Sequence, residues 1–398
     1  MEEQPKDLAS PNSAQDILEN AKKIAPWLND KSDEIEQIRR LPNDVVDVLT
    51  KSGVFRMNMP ASWNGPEATS PEQVEIIENL SIGDASVGWC AMIGSDSGIY
   101  SGYLDDQIAR DLYPSLDTIQ AGWIYPVGVA EEVDGAYKVS GSWHYLSGST
   151  HTDMVAAGCR VFKDGEPVFD AQGIPEWRII LAPVDHWQIT DDWHTTGLKG
   201  SASNAYSTVS RYLLVPREHS FSFKEPVRDG LLWRKPDTLL RNMSGVPLGA
   251  ARGAINSFKE IMDGKHNVLR GTPYKGVPRI QASIAEAEMK LASARSYVYD
   301  ALGTQWRCLQ EGVEPSVTVR KDVWLSRLNA FQTSRDVARL LFDALGGDAV
   351  YTQKSQLDRA LRDCETMCQH WVGQKVSLES VGEMLFDVEG PGPRSIML

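Results

Sequence analysis

Apolar residues change their spacing twice along this 398-residue chain, from helical to strand-like and back to helical. That restricts it to folds in which a strand-built middle lies between two helical ends. From about residue 12 to 115 the spacing is helical. Ile17, Ala21, Ile24 and Leu28 fall four, three and four apart, one face of a helix opening at Ala14. Pro26 predicts a kink or an early end there. Pro42-Asn43-Asp44 opens a second helix that Ser52-Gly53 stops, and Ser70-Pro71-Glu72 opens a third with a cap and an early Pro. From about 116 to 225 the runs shorten. Ala136–Ser140 alternates, while Met154–Phe162, Trp177–Val184 and Tyr206–Val215 are apolar runs between Gly, Asp and Pro turns. This pattern reads as antiparallel strands. From about 240 to 385 the helical spacing returns. Ile284, Ala287, Leu291, Ala294, Val298 and Ala301 form one series. Trp324, Leu328, Phe331, Ala338, Phe342 and Leu345 form another, broken only by Arg335. A last helix is expected from about Lys354 to Val376. The class is therefore α+β, with an N-terminal α-helical domain (1–115), a central antiparallel β domain (116–228) and a C-terminal helical bundle with a tail (229–398).

Composition removes several functions. The net charge is −14, from 40 basic and 54 acidic residues, which argues against a nucleic-acid surface. No apolar run reaches the roughly 18 residues of a membrane span, and the N-terminus lacks the basic and apolar segments of a secretory signal. Five cysteines, odd in number and sparse, fit a reducing cytoplasm. Cys364, Cys368 and His370 lie close in sequence but lack the second ligand pair of a zinc site, so no metal is expected.

Three clusters carry the remaining chemistry. Gly141-Ser142-Trp143-His144-Tyr145-Leu146-Ser147-Gly148-Ser149-Thr150-His151 is a strand running into a small polar turn. Strict alternation puts Trp143 and Tyr145 on one face and His144 and Leu146 on the other. The turn offers hydroxyls and N–H groups to the polar edge of a heterocycle, although a plain strand end has the same composition. Gly197-Leu198-Lys199-Gly200-Ser201-Ala202-Ser203 is a second tight loop. In Arg362-Asp363-Cys364-Glu365-Thr366-Met367-Cys368-Gln369-His370-Trp371, His370 falls two helical turns beyond Asp363. Histidine is the natural proton-transfer group near neutral pH.

In this order, the clusters resemble the acyl-CoA dehydrogenase superfamily, and most closely its flavin-dependent monooxygenase branch, the oxygenase components of two-component aromatic hydroxylases. The likeness runs over about residues 15–380. It includes Gly53 to Pro60 and Asp84-Ala85-Ser86-Val87-Gly88-Trp89. Lys199 stands where that branch more often has Arg, and Ala202 where it has Gly. The resemblance implies an N-terminal helical domain, a central β domain and a C-terminal four-helix bundle, assembled as a homotetramer. It implies reduced flavin (FADH2 or FMNH2) and O2 as cofactors and a C4a-hydroperoxyflavin as oxidant. A separate flavin reductase is the expected partner, and a small phenol- or indole-type aromatic the substrate. Trp143, Ser147, Gly148, Ser149, Ser201 and Ser203 are implied to contact the flavin, with Ser203 near its N5. His370 is implied to deprotonate the substrate or steer oxygen transfer. Among the 12 Trp, Trp89, Trp123 and Trp371, together with His151, are assigned to the substrate pocket. Two other readings compete: an acyl-CoA dehydrogenase-like oxidoreductase with a displaced base, Glu365 or Glu379, and a non-catalytic binding member of the fold. The Glu-Gly-Thr that carries the base of common dehydrogenases is absent.

Overall fold

A computed structural model describes residues 4–224, 226–234, 240–267, 271–352 and 355–386. Six helices come first: α1 (Ala14–Ile38), α2 (Asn43–Ser52), α3 (Ser70–Gly83), α4 (Ala85–Gly94), α5 (Ser97–Tyr100) and α6 (Asp106–Leu112). Pro26 does not end α1, whose buried face continues through Trp27, Leu28 and Ile35. Packing of that face outweighs one lost backbone hydrogen bond. Thr69, one residue earlier than expected, caps α3 in a reciprocal box with Glu72.

Ten strands follow. They are β1 (Gln120–Val133), β2 (Ala136–Ser140), β3 (Ser142–Leu146), β4 (Met154–Lys163), β5 (Glu166–Pro167), β6 (Trp177–Pro183), β7 (Trp187–Thr190), β8 (Asn204–Thr208), β9 (Leu213–Pro216) and β10 (Ser220–Phe221). The larger sheet runs β10-β6-β4-β1-β2-β9, with β5 on β4, and the smaller runs β3-β8-β7. The sheets are not wholly antiparallel, because β1 and β4 pair in parallel. The run Tyr206–Val215 also divides between the two sheets. Hydroxyl-to-backbone bonds from Thr208 and Ser210 turn the chain between β8 and β9. Trp143, Trp187 and Tyr206 fill the interior between the sheets.

The chain closes with α7 (Gly245–Gly264), α8 (Pro278–Gln310), α9 (Val317–Leu345), α10 (Leu357–Met367) and α11 (Ser377–Leu385). The expected seams are buried: Ala287, Leu291, Ala294, Val298 and Ala301 on α8, and Trp324, Leu328, Phe331 and Ala338 on α9. With α10 against α7 and α9, these helices form the C-terminal bundle. The last helix is shorter than expected. The proposed start at Lys354 lies outside the described residues, and α10 stops at Met367.

Glu36, near the end of α1, joins the first and last thirds of the fold. It accepts from Arg359 at 2.8 Å and Arg362 at 2.6 Å and pairs with Lys199 at 3.1 Å. Burial by itself would raise its pKa, but the hydrogen bonds from Arg362, Arg359 and Lys199 prevail and hold it at about 2, against an ordinary 4.5. The sign follows from linkage: this stabilisation is full above pH 4.5 and disappears as pH falls through about 2. Glu36→Gln is expected to lower unfolding free energy at pH 7 by about 2 kcal/mol after allowance for solvent screening. Urea melts at pH 7 and pH 2.5 check this, with most of the difference gone at the lower pH.

Candidate active site

Two loops and a helix end come together around Trp89 and Ser147. The first loop continues β3, where the β3–β8 register shifts between Trp143 and Leu146. At that shift Tyr145 takes φ +63°, so the expected alternation fails. Trp143 turns inward, wholly buried, with its ring stacked on Tyr206 and its Nε1 donating to the Gly158 carbonyl at 2.8 Å. It belongs to the β core and not, as expected, to a flavin-contacting surface. Tyr145 turns outward and is 54 % exposed. Its ring meets Trp123 edge-on at 5.3 Å and Trp193 at 6.3 Å, and Trp123 stacks on Tyr125 at 5.9 Å. This aromatic shelf contains Trp123 of the expected residues. Tyr125, Tyr145 and Trp193 were missed, because strict alternation cannot reveal a left-handed residue at a register shift.

The second loop is the 3-10 turn Lys199–Ser201, bracketed by Leu198 (φ +49°) and Ala202 (φ +42°). Two non-glycine residues in that region persist only where surroundings hold them. Here α10 holds them: Asp363 Oδ1 accepts the Leu198 N–H at 2.6 Å, and Arg362 Nη1 donates to the Thr196 carbonyl at 2.7 Å. Gly197 permits the approach, since a Cβ there would lie 2.1 Å from the Arg362 carbonyl oxygen.

The loops are bonded to each other. Gly148 N–H donates to the Ser201 carbonyl at 2.8 Å, and Ser149 Oγ donates to the Ala202 carbonyl at 2.7 Å. Ser203 Oγ lies 2.8 Å from Ser147 Oγ and 2.7 Å from Ser201 Oγ. Trp89 Nε1, from α4, donates to Ser147 Oγ at 3.1 Å. Trp89 also meets the His370 imidazole edge-on at 5.6 Å between centroids.

His370 does not lie on α10, which has ended by then; it precedes the 3-10 turn Trp371–Gly373. The ring is open to solvent in the single chain, yet protein crowds it. Desolvation by the protein around it, and then the positive charge of Arg327, push its pKa down to about 4. Val372 N–H donates to Nδ1 at 3.4 Å, so the neutral ring keeps its proton on Nε2. Trp371 packs edge-on against Trp324 at 5.2 Å, beside the histidine and against the core. His151 lies against Gly148, where a Cβ would sit 3.0 Å from its Nε2. That Nε2 has no hydrogen-bond partner among the described residues, and burial holds the imidazole at about 4. No cluster of three metal-ligating side chains occurs among the described residues.

Residues 242–375 match the family described as acyl-CoA dehydrogenase, C-terminal domain. The chain is 30 % identical to indole-3-acetate monooxygenase of Pseudomonas putida over 357 residues, 89 % of each protein. The chain belongs to the flavin-dependent monooxygenases of the acyl-CoA dehydrogenase superfamily. The HsaA monooxygenase structure from M. tuberculosis superposes with a TM-score of 0.87 at 23 % identity, covering 97 % of this chain and 100 % of that one. TdsC from Paenibacillus sp. A11-2, solved with FMN and indole, gives 0.78 at 19 % identity and covers 95 % and 98 %. The cofactor of this monooxygenase is reduced flavin. The residues suit such a group: the exposed Tyr145 ring and the half-buried Trp123 ring offer aromatic faces to a flat ring, and Ser147 and Ser203 carry hydroxyls on the adjoining loops.

Two buried carboxylates hold this monooxygenase's site in register. Asp84 caps α4, accepting the Val87 N–H at 2.9 Å, and burial pushes its pKa up to about 6. Burial first, and then the charge of Asp84, push Asp363 up to about 7. Its folded pKa is raised, so its contribution to stability is full below the ordinary 3.8 and is lost as pH rises through about 7. Asp363→Asn keeps an acceptor for Leu198 and should remove that pH-dependent loss. Asp363→Ala strands a buried N–H and should cost about 1–3 kcal/mol. Thermal melts from pH 4 to 8 compare both variants with the parent protein; equal melting temperatures for Asn and Ala would contradict the assignment.

Proposed function

We propose that this monooxygenase is the oxygenase component of a two-component system that hydroxylates a small aromatic of the indole or phenol type. Its organisation is read as an N-terminal helical domain (1–115), a central β domain (116–228) and a C-terminal bundle with tail (229–398). The observation that carries the reading is Trp89, which touches both His370 and the Ser147 hydroxyl, so that one ring joins a proton-handling group to a polar wall. The indole-3-acetate monooxygenase relative and the indole-bound TdsC support an indole-like ring as substrate.

Bound reduced flavin supplies the activation of O2. The protein binds, orients and shields. Tyr145 and Trp123 hold flat rings by stacking, while Ser147, Gly148, Ser149 and Ser203 line the polar edge. With a pKa of about 4, His370 is neutral throughout the physiological range. The Val372 contact favours steering over deprotonation, because the resting ring presents Nε2–H as a donor. A donor there orients an oxygen atom and stabilises negative charge that develops on the substrate. Trp89 braces this ring. Of the dehydrogenase bases considered, Glu365 pairs with Arg339 at 3.6 Å, which does not favour that alternative.

The reductase is read as a separate protein that delivers flavin by diffusion. Assembly as a homotetramer is part of the same reading. No described helix is long and apolar enough to cross a membrane; the cytoplasm is the proposed location, from the sparse, free cysteines.

His370→Ala should retain flavin binding while hydroxylation falls about hundredfold and released hydrogen peroxide rises. His370→Gln supplies an N–H without a base and should recover part of the coupling. Product and peroxide yields per flavin oxidised, followed by chromatography, decide this. Full hydroxylation by the Ala variant would remove His370 from the mechanism, and a Gln variant as poor as Ala would restore the base reading. In the parent protein, protonation of His370 should not depress coupling until pH falls below about 5, given the pKa of about 4.

A further inference from the structure

Asp96 ends the turn between α4 and α5 and is the N-cap residue of α5. An aspartate in that place ordinarily caps, its carboxylate accepting an N–H of the first turn. Here the side chain caps nothing. The Ile99 and Tyr100 N–H groups donate instead to the Asp96 main-chain carbonyl, at 3.0 and 2.9 Å. The side chain is 8 % exposed and takes no hydrogen bond or ion pair among the described residues. A buried carboxyl in that state is unfavourable. Burial lifts its pKa to about 7, and the charge of Arg241 offsets only part of the effect. The turn that presents it is firmly held. Asn58 Nδ2 donates to the Ser95 carbonyl at 3.2 Å, and Trp233 Nε1 donates to the Ile99 carbonyl at 3.1 Å. The backbone is thus anchored on both sides, while the carboxyl itself is left open.

Two observations place that carboxyl beside the site. Asp96 follows Trp89 by seven residues, two helical turns, and Ser95 and Asp96 keep right-handed helical angles. It therefore falls on the Trp89 side of the helix, about 10 Å further along the axis. Trp89 is the ring that touches His370 and the Ser147 hydroxyl. In the other direction Asp96 bears on the start of β1. Burial, and then the Asp96 charge, raise the Tyr100 and Tyr113 phenols. Tyr113 donates to Gln120 Oε1 at 2.9 Å, on the first residue of the strand that carries Trp123. The Tyr100 hydroxyl, also buried, has no hydrogen-bond partner among the described residues. The interval from Trp89 to Asp96 is the length of a two-ring aromatic with a hydrogen bond at its end.

We propose that Asp96 recognises the substrate, accepting the ring-borne N–H of an indole or O–H of a phenol whose far end lies at His370. An ionised carboxylate only accepts, and a hydrogen bond to it is stronger than a neutral one. A ring that brings a donor completes the buried group. A ring of the same shape without one leaves it buried and unpaired, and is rejected for that reason. Asp96 is thus a specificity-determining residue, kept at some expense in stability until substrate arrives. The inference rests on the reading that the substrate is a small aromatic bound beside Trp89 and His370.

The test measures binding without turnover, by anaerobic calorimetric titration of the protein saturated with reduced FAD or FMN. The probes form two pairs of near-equal shape: indole with benzofuran, and phenol with fluorobenzene. In at least one pair the parent protein should bind the N–H or O–H member about tenfold more tightly, or better. Asp96→Leu removes the acceptor and should bring that ratio to about one. Asp96→Asn keeps a neutral acceptor and should hold an intermediate ratio. A purely structural role would weaken both members of a pair alike and leave the ratio unchanged. Thermal melts at pH 8 give a second, independent readout. There the parent carboxyl is ionised and unpaired, so Asp96→Asn should melt at or above the parent temperature. Equal affinities within both pairs in the parent protein, a ratio unchanged in Asp96→Leu, or a lower melting temperature in Asp96→Asn overturns the inference. If the parent protein binds none of the four probes, the aromatic-substrate reading falls first and takes the inference with it.

Discussion

The hydrogen bond from the Leu198 amide to the Asp363 carboxylate is the contact on which the site depends. It crosses from a β-domain loop to the bundle, so neither part can orient the cleft by itself. On the loop side it stabilises a left-handed Leu198, and with it the turn that presents Ser201 and Ser203. On the helix side it fixes α10, whose end precedes His370 by three residues. Glu36 reinforces the same junction from α1 through Arg359, Arg362 and Lys199.

That arrangement has a cost, and its pattern is informative. Asp84 and Asp363 are both buried, and both are pushed toward neutrality. Each nevertheless accepts from a backbone amide that would otherwise be stranded: Val87 on the helix carrying Trp89, and Leu198 on the loop leading to Ser203. The carboxylates thus offset their desolvation with positional control at two backbone points. Trp89 then joins the two controlled pieces, hydroxyls on one side and imidazole on the other.

Much of the fold was legible because burial on one face leaves a periodic trace. Ala287 to Ala301 on α8 and Trp324 to Ala338 on α9 fell on the buried seams. Ala136–Ser140 matched β2 to the residue. The failures share a cause: a non-local contact overrode a local signal. Packing carried α1 past Pro26, and the run Tyr206–Val215 split between two sheets. The parallel pairing of β1 with β4 joins strands separated by β2 and β3, so no local pattern announces it.

The candidate site divides in the same way. The residue types at the loops and near the helix end (Ser147, Gly148, Ser149, Ser201, Ser203 and His370) are local features, and the sequence by itself determined that they occur in an order resembling flavin monooxygenases. It also determined the helical, strand and helical succession, because that order is written in apolar spacing. Only the tertiary structure decided which of them meet. It sent Trp143 into the core and Tyr145 outward, ended α10 before His370, and buried Ser201 behind Ser203.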